Sequence, residues 1–143
     1  MDGKPFLVRA IIINEEKIDE MKTLVFTHGI YGCCVMNSLL LKSLSEHYRI
    51  IAYDNCNWGL NTRTDTNDTQ ADKSEDEAHQ WIIDFMLRTF EALDEYLPEK
   101  YIISGHSWGG YLSGLYAAMR PERIDSLIMF SPAIDSPTDE EYA

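Results

Sequence analysis

Ser107 lies between glycines in the segment Gly105-His106-Ser107-Trp108-Gly109-Gly110, a spacing that suits a serine acting as a nucleophile. A hydroxyl at the tip of a sharp turn leaves little room for side chains on its flanks, because the backbone on either side must pass close to itself. If the turn joins a strand to a helix, the Ser107 hydroxyl projects outward, and the helix N-terminus behind it favours the negative charge that attack on an acyl group develops. That charge needs two backbone N–H donors already in place. The Trp108 N–H follows the serine directly and is one candidate. A second glycine-flanked segment, Phe26-Thr27-His28-Gly29-Ile30-Tyr31-Gly32, offers the other. Here the donor is the Ile30 N–H, with Tyr31 as the alternative, on a loop that Gly29 and Gly32 allow to turn inward. His28 is read as the hydrogen-bonding support of this loop, since a base must approach the serine from a different side than the oxyanion donors.

The remaining candidates carry less. His28, His47, His79 and His106 are the four histidines, and none follows Ser107. His47 and His79 fall in helical patterns and read as solvated; His106 belongs to the turn, supporting it with Gly105, Gly109 and Gly110. Cys33 and Cys34 are adjacent and Cys56 stands apart, which is neither a disulfide framework nor a metal-ligand spacing, so packing is a better reading of them than a catalytic thiol. No metal and no organic cofactor is implied. Asp54 follows an apolar run and reads as a turn residue.

These segments need a frame of strands and helices. Residues 6–13 form an apolar run broken only by Arg9, which reads as a strand near a sheet edge. Leu24-Val25-Phe26, Ile50-Ile51-Ala52-Tyr53, Tyr101-Ile102-Ile103 and Leu127-Ile128-Met129-Phe130 are continuous apolar segments of the kind found in parallel strands buried on both faces. Leu40, Leu41, Leu44 and Tyr48 trace one helical stripe. A longer one runs from Ala78 through Trp81, Ile82, Phe85, Thr89 and Leu93 to Leu97, with Ser74 and Glu77 as a capping box and Pro98 closing it. A third helix spans Trp108 to Arg120, ahead of Pro121. The order β, β, α, β, α, β, α, β predicts a three-layer α/β/α fold around a mostly parallel wound sheet. Residues 61–73 are polar and read as a surface loop.

The 143 residues suit one domain, and 45% apolar with 25% charged residues is ordinary for a globular protein. A formal charge of -12 opposes nucleic acid and anionic lipid surfaces as partners and favours a neutral or apolar small-molecule substrate. With no signal peptide and no apolar window of membrane length, the expectation is a cytoplasmic protein without stable membrane insertion.

Taken in order, the His28 loop, the 54–59 turn, the Gly105–Gly110 turn, Pro121-Glu122-Arg123-Ile124 and Phe130-Ser131-Pro132-Ala133 resemble the α/β-hydrolase superfamily. The stretch from Gly110-Tyr111-Leu112 onward looks most like the abhydrolase-domain lipid hydrolases and acyltransferases. The resemblance implies a serine hydrolase that cleaves carboxylic or lipid acyl esters through an acyl-enzyme, without cofactor. Proline-iminopeptidase-like members share the His-Ser-Trp-Gly-Gly turn and imply a peptide substrate instead; relatives with Asp in place of Ser107 are disfavoured. Asn57 and Asn61 replace residues usually Gly and Ser in the family. The family's triad runs Ser, Asp/Glu, His; Asp135 is a weak candidate acid, and the base histidine is absent. The expected picture is therefore one incomplete α/β-hydrolase domain over residues 1–143, truncated at its C-terminal end. Its rival is a non-catalytic α/β-hydrolase-like interaction protein that self-associates through the incomplete sheet.

Overall fold

The computed structural model describes residues 7–55, 59 and 74–133. Phe6, Cys56, Asn57, the 61–73 loop and Asp135 lie outside them.

Five strands form one sheet: β1 (Ala10–Ile13), β2 (Thr23–Thr27), β3 (Arg49–Tyr53), β4 (Tyr101–His106) and β5 (Ile124–Phe130), ordered β1-β3-β2-β4-β5. The four from β2 to β5 are parallel, with Val25 opposite Ile51 and Ile103, and Ile103 opposite Leu127. β1 takes the edge as its pattern predicts, but it runs antiparallel to β3, with Ala10 opposite Tyr53 and Ile13 opposite Ile50. The link from β1 to β2 holds only a 3-10 turn at Glu15–Lys17, enough to reverse the chain and too short for the crossover that parallel strands need.

Alternation along the strands gives the sheet two apolar faces. Val25, Ile51, Tyr53, Tyr101 and Ile103 point to one, beneath α2 (Glu75–Leu93) and α3 (Trp108–Met119), which contribute Met86, Phe90, Leu93, Leu112 and Tyr116. Leu24, Phe26, Ile50, Ala52 and Ile102 point to the other, where Cys34 and Leu41 of the 3-10 turn Cys34–Asn37 and of α1 (Ser38–Leu44) cover them. The α2 capping box is present: Glu77 N donates to Ser74 Oγ at 3.4 Å, and Ser74 N to Glu77 Oε2 at 2.9 Å. α2 stops at Leu93 and a 3-10 turn, Asp94–Tyr96, carries the chain to a buried Leu97. α1 is shorter than its stripe suggests and leaves Leu40 partly exposed and Tyr48 in the turn before β3.

β5 departs most from expectation. Its apolar run predicts burial on both faces, yet Leu127, Ile128, Met129 and Phe130 are each 38–44% exposed. The strand is at an edge, so one side has no strand partner among the described residues. α3 covers only the Leu127 and Met129 side. At the far end of the sheet the buried Arg49 side chain ties three segments together. Its Nη1 donates to Tyr96 O at 2.8 Å and Thr23 Oγ1 at 3.3 Å, and its Nε to Glu15 O at 3.2 Å.

Candidate active site

Ser107 is the single residue between β4 and α3, and its backbone has φ 54 and ψ -122. Positive φ in a residue with a Cβ costs about 1–3 kcal/mol and persists only where surrounding contacts over-determine it. Here they do. Ser107 N donates to Phe130 O at 2.9 Å, Ser107 O accepts from Tyr111 N at 3.1 Å and from Ala133 N at 3.0 Å, so β5 and α3 clamp the turn from both sides. The glycines make that clamp possible. A Cβ on Gly105 would overlap the Gly109 carbonyl, and one on Gly109 would overlap the Thr27 carbonyl, so strand and helix cross at contact distance only without side chains.

The loop after β2 packs on this turn. A Cβ on Gly29 would sit 3.1 Å from Ser107 Cβ and 3.3 Å from His106 Nδ1, which puts the Gly29 backbone directly over the serine. Gly32 N donates to Gly29 O at 3.2 Å and closes a tight turn with Ile30 and Tyr31 at its corners. Within this turn the left-handed backbone falls on Tyr31, at φ 61. Gly29 and Gly32 serve by close approach, since a Cβ on Gly32 would lie 3.0 Å from Gly29 O and 3.1 Å from His28 Nδ1. Among the described residues no acceptor takes the Ile30 or the Trp108 N–H.

His28 is buried behind the loop with both ring nitrogens engaged. Nε2 accepts from Asn55 N at 2.9 Å, so the proton sits on Nδ1 and is donated to Gly29 O at 2.7 Å. Asn55 Nδ2 returns a bond to His28 O at 2.9 Å. Burial pulls the His28 pKa below the ordinary histidine value, which keeps the ring neutral although Asp54 Oδ1 lies 3.9 Å away. A neutral imidazole with no free nitrogen holds the loop and has no lone pair left to receive a proton from Ser107.

Asp54 does more than turn the chain. Its Oδ1 accepts from Cys34 N at 2.7 Å, fastening the start of the 3-10 turn to the end of β3. Sequence reasoning missed this link; the only available signal was a carboxylate and an amide placed directly after a buried strand. Burial, reinforced by the hydrogen bond to Asp54, pushes the Cys34 thiol up to about 12, so the sulfur stays protonated and acts as packing.

A family model for the α/β hydrolase fold matches residues 22–143. The chain belongs to the α/β-hydrolase family. Among its relatives, a probable 1-acylglycerol-3-phosphate O-acyltransferase of Oryza sativa subsp. japonica is 29% identical over 134 residues, covering 91% of this chain and 29% of that protein. A proline iminopeptidase of Heyndrickxia coagulans is 29% identical over 133 residues, 90% of this chain and 42% of that one. A probable hydrolytic enzyme of Pseudomonas aeruginosa PAO1 superposes with a TM-score of 0.72 at 21% identity, over 92% of this chain and 39% of the other. This α/β-hydrolase chain thus spans less than half the length of these relatives.

The family's other expected features are distributed unevenly. His106 is exposed beside the Gly29 backbone, and His47 is exposed near the end of α1. His79, expected to be solvated, is exposed but hydrogen-bonds Tyr111 Oη through Nε2 at 3.2 Å, and the Tyr111 ring stacks on Trp108 at 5.0 Å. Among the described residues no hydrogen bond joins Ser107 Oγ to a histidine. No helix there is long and apolar enough to cross a membrane, and no group of three or more His, Cys, Asp or Glu could hold a metal ion.

Proposed function

We propose that the chain is the nucleophile-bearing part of a serine hydrolase for acyl esters, lipid-like in kind. Ser107 Oγ attacks the acyl carbonyl carbon, the Ile30 and Trp108 N–H groups take the charge on its oxygen, and the alcohol departs with a proton to leave an acyl-enzyme. Water then releases the acid. The observation that carries this reading is the pairing of a serine held at positive φ with a loop whose Gly29 backbone packs on it. With His28 fully engaged, the proton acceptor is a group other than His28. Asp135 stays the candidate acid. The named relatives add two variations: an alcohol acceptor in place of water, as in an acyltransferase, or a peptide in place of the ester, as in an iminopeptidase.

Covalent labelling of the chain by a fluorophosphonate probe tests the proposal, with Ser107→Ala as control. Labelling that disappears in the control supports an activated serine; a folded chain that takes no label removes the catalytic reading. The exposed apolar strand β5 favours the second reading, a non-catalytic module that self-associates through its sheet edge. That reading expects no label together with a mass above the monomer in sedimentation.

A further inference from the structure

Between Thr23 and Ser45 the chain has one formally charged residue, Lys42, although the whole sequence carries 12 Lys/Arg and 24 Asp/Glu. The same stretch exposes apolar side chains in succession: Ile30 and Tyr31 on the turn over Ser107, Val35 and Met36 on the next 3-10 turn, Leu39 and Leu40 at the start of α1. Tyr31 is 82% exposed, Met36 73% and Leu39 84%. Beside them opens a recess of about 220 Å³ whose lining includes Ile11, Ile13, Val35 and Leu41 together with the stretch's one lysine, Lys42. Exposed apolar groups scattered singly need no account, but a run of them at the mouth of a site does.

We propose that this surface docks on an uncharged lipid surface and that the ester passes from there to Ser107; the second clause rests on the serine-hydrolase reading. Charge selects the occupant. A net charge of -12 repels an anionic leaflet, whereas burying these side chains in hydrocarbon requires no charge partner. A protein partner would ordinarily meet a polar rim carrying charges, and this stretch offers a single one, Lys42. Continuity points the same way, because Ile30 and Tyr31 belong both to the docking surface and to the turn over the nucleophile. From Ile30 to Leu40 the stretch carries no formally charged side chain.

Flotation of the 143-residue chain with phosphatidylcholine vesicles, against vesicles enriched in phosphatidylserine, tests this. Wild type and Ser107→Ala are expected to float equally with phosphatidylcholine and less with phosphatidylserine. The double substitution Met36→Gln, Leu39→Gln weakens flotation about tenfold or more, with an unchanged circular dichroism spectrum, since both side chains are exposed. The proposal falls if folded wild type does not float with phosphatidylcholine, or if the double variant floats as well. It also falls if wild type sediments as a dimer that the double substitution dissolves, because a second copy then covers the surface. Labelling without flotation overturns docking alone; flotation without labelling overturns the hydrolase reading and leaves the docking surface standing.

Discussion

The two faces of the sheet carry the same kind of side chain and receive unequal cover. On one, Val25, Ile51, Tyr53, Tyr101 and Ile103 lie under helices of 19 and 12 residues, with Phe90 stacked on Tyr116 at 3.7 Å and on Tyr101 at 6.2 Å. On the other, Leu24, Phe26, Ile50, Ala52 and Ile102 lie under the 3-10 turn at Cys34 and the seven residues of α1. Ile128 and Phe130, which by register lie beside Ser104 and His106 on that second face, are 38% and 40% exposed. The heavily covered face supplies the stiffness that a clamped, positive-φ serine requires, and the lightly covered face bears the loop and the open apolar ground beside it. Packing and recognition are divided between the two.

Truncations on the two faces sharpen that division. Phe90→Ala on the heavily covered face removes a ring at the centre of an aromatic stack, and should lower stability by about 3–5 kcal/mol. Leu41→Ala on the other face should lower it by about 2–3 kcal/mol, because α1 can settle toward the sheet and shrink the cavity. Urea unfolding followed by tryptophan fluorescence measures both. Since a domain has only about 5–15 kcal/mol to lose, the Phe90 variant should be partly unfolded near 37 °C. Equal losses would mean that the unequal cover has no energetic counterpart.

Much of this arrangement could be read from residue patterns. The continuous apolar runs gave β2, β3 and β4, the Ser74 and Glu77 pair located the start of α2, and the glycines around Ser107 located the strand-to-helix turn. What failed has common causes. Exposure of β5 depends on which strands and helices neighbour it, and no property of Leu127 to Phe130 encodes that. The antiparallel direction of β1 follows from how short its link to β2 is, which the strand's own residues do not express. The positive φ of Tyr31 is not legible in its type, since a tyrosine takes that backbone only where surrounding contacts impose it. The hydrogen bond between Asp54 and Cys34 joins residues twenty positions apart, beyond the reach of any local pattern.

That long-range bond offers the next test. The Asp54 carboxylate fastens the lightly covered side to the strand ends, so its loss should act on the loop more than on the core. Asp54→Ala strands the buried Cys34 N–H and should cost about 1–3 kcal/mol. Asp54→Asn, which keeps an oxygen at the accepting position, should cost less than half as much. Amide hydrogen exchange locates the effect: faster exchange is expected over residues 29–37 and unchanged exchange in the Phe90 stack. A uniform rise across both faces would show that the two are energetically one unit.

The smallest effect expected is a dependence on pH, and it arises from His28. Burial holds its folded-state pKa below the unfolded value of about 6.5, so in the window between the two the unfolded chain binds a proton that the folded chain refuses. The stability due to this group is therefore complete above pH 6.5 and declines as pH falls toward the folded pKa, by at most about 1.4 kcal/mol per pH unit. His47, His79 and His106 are present in both wild type and a His28→Gln variant, so the difference between the two proteins isolates the buried ring. The variant should be less stable at pH 7.5, because Asn55 N and Gly29 O lose a partner of the right shape. Its urea midpoint should nevertheless fall less than wild type between pH 7.5 and 5.5. Parallel curves for the two proteins would mean that the ring does not stay neutral, and that the loop over Ser107 is held by a charged pair with Asp54 instead.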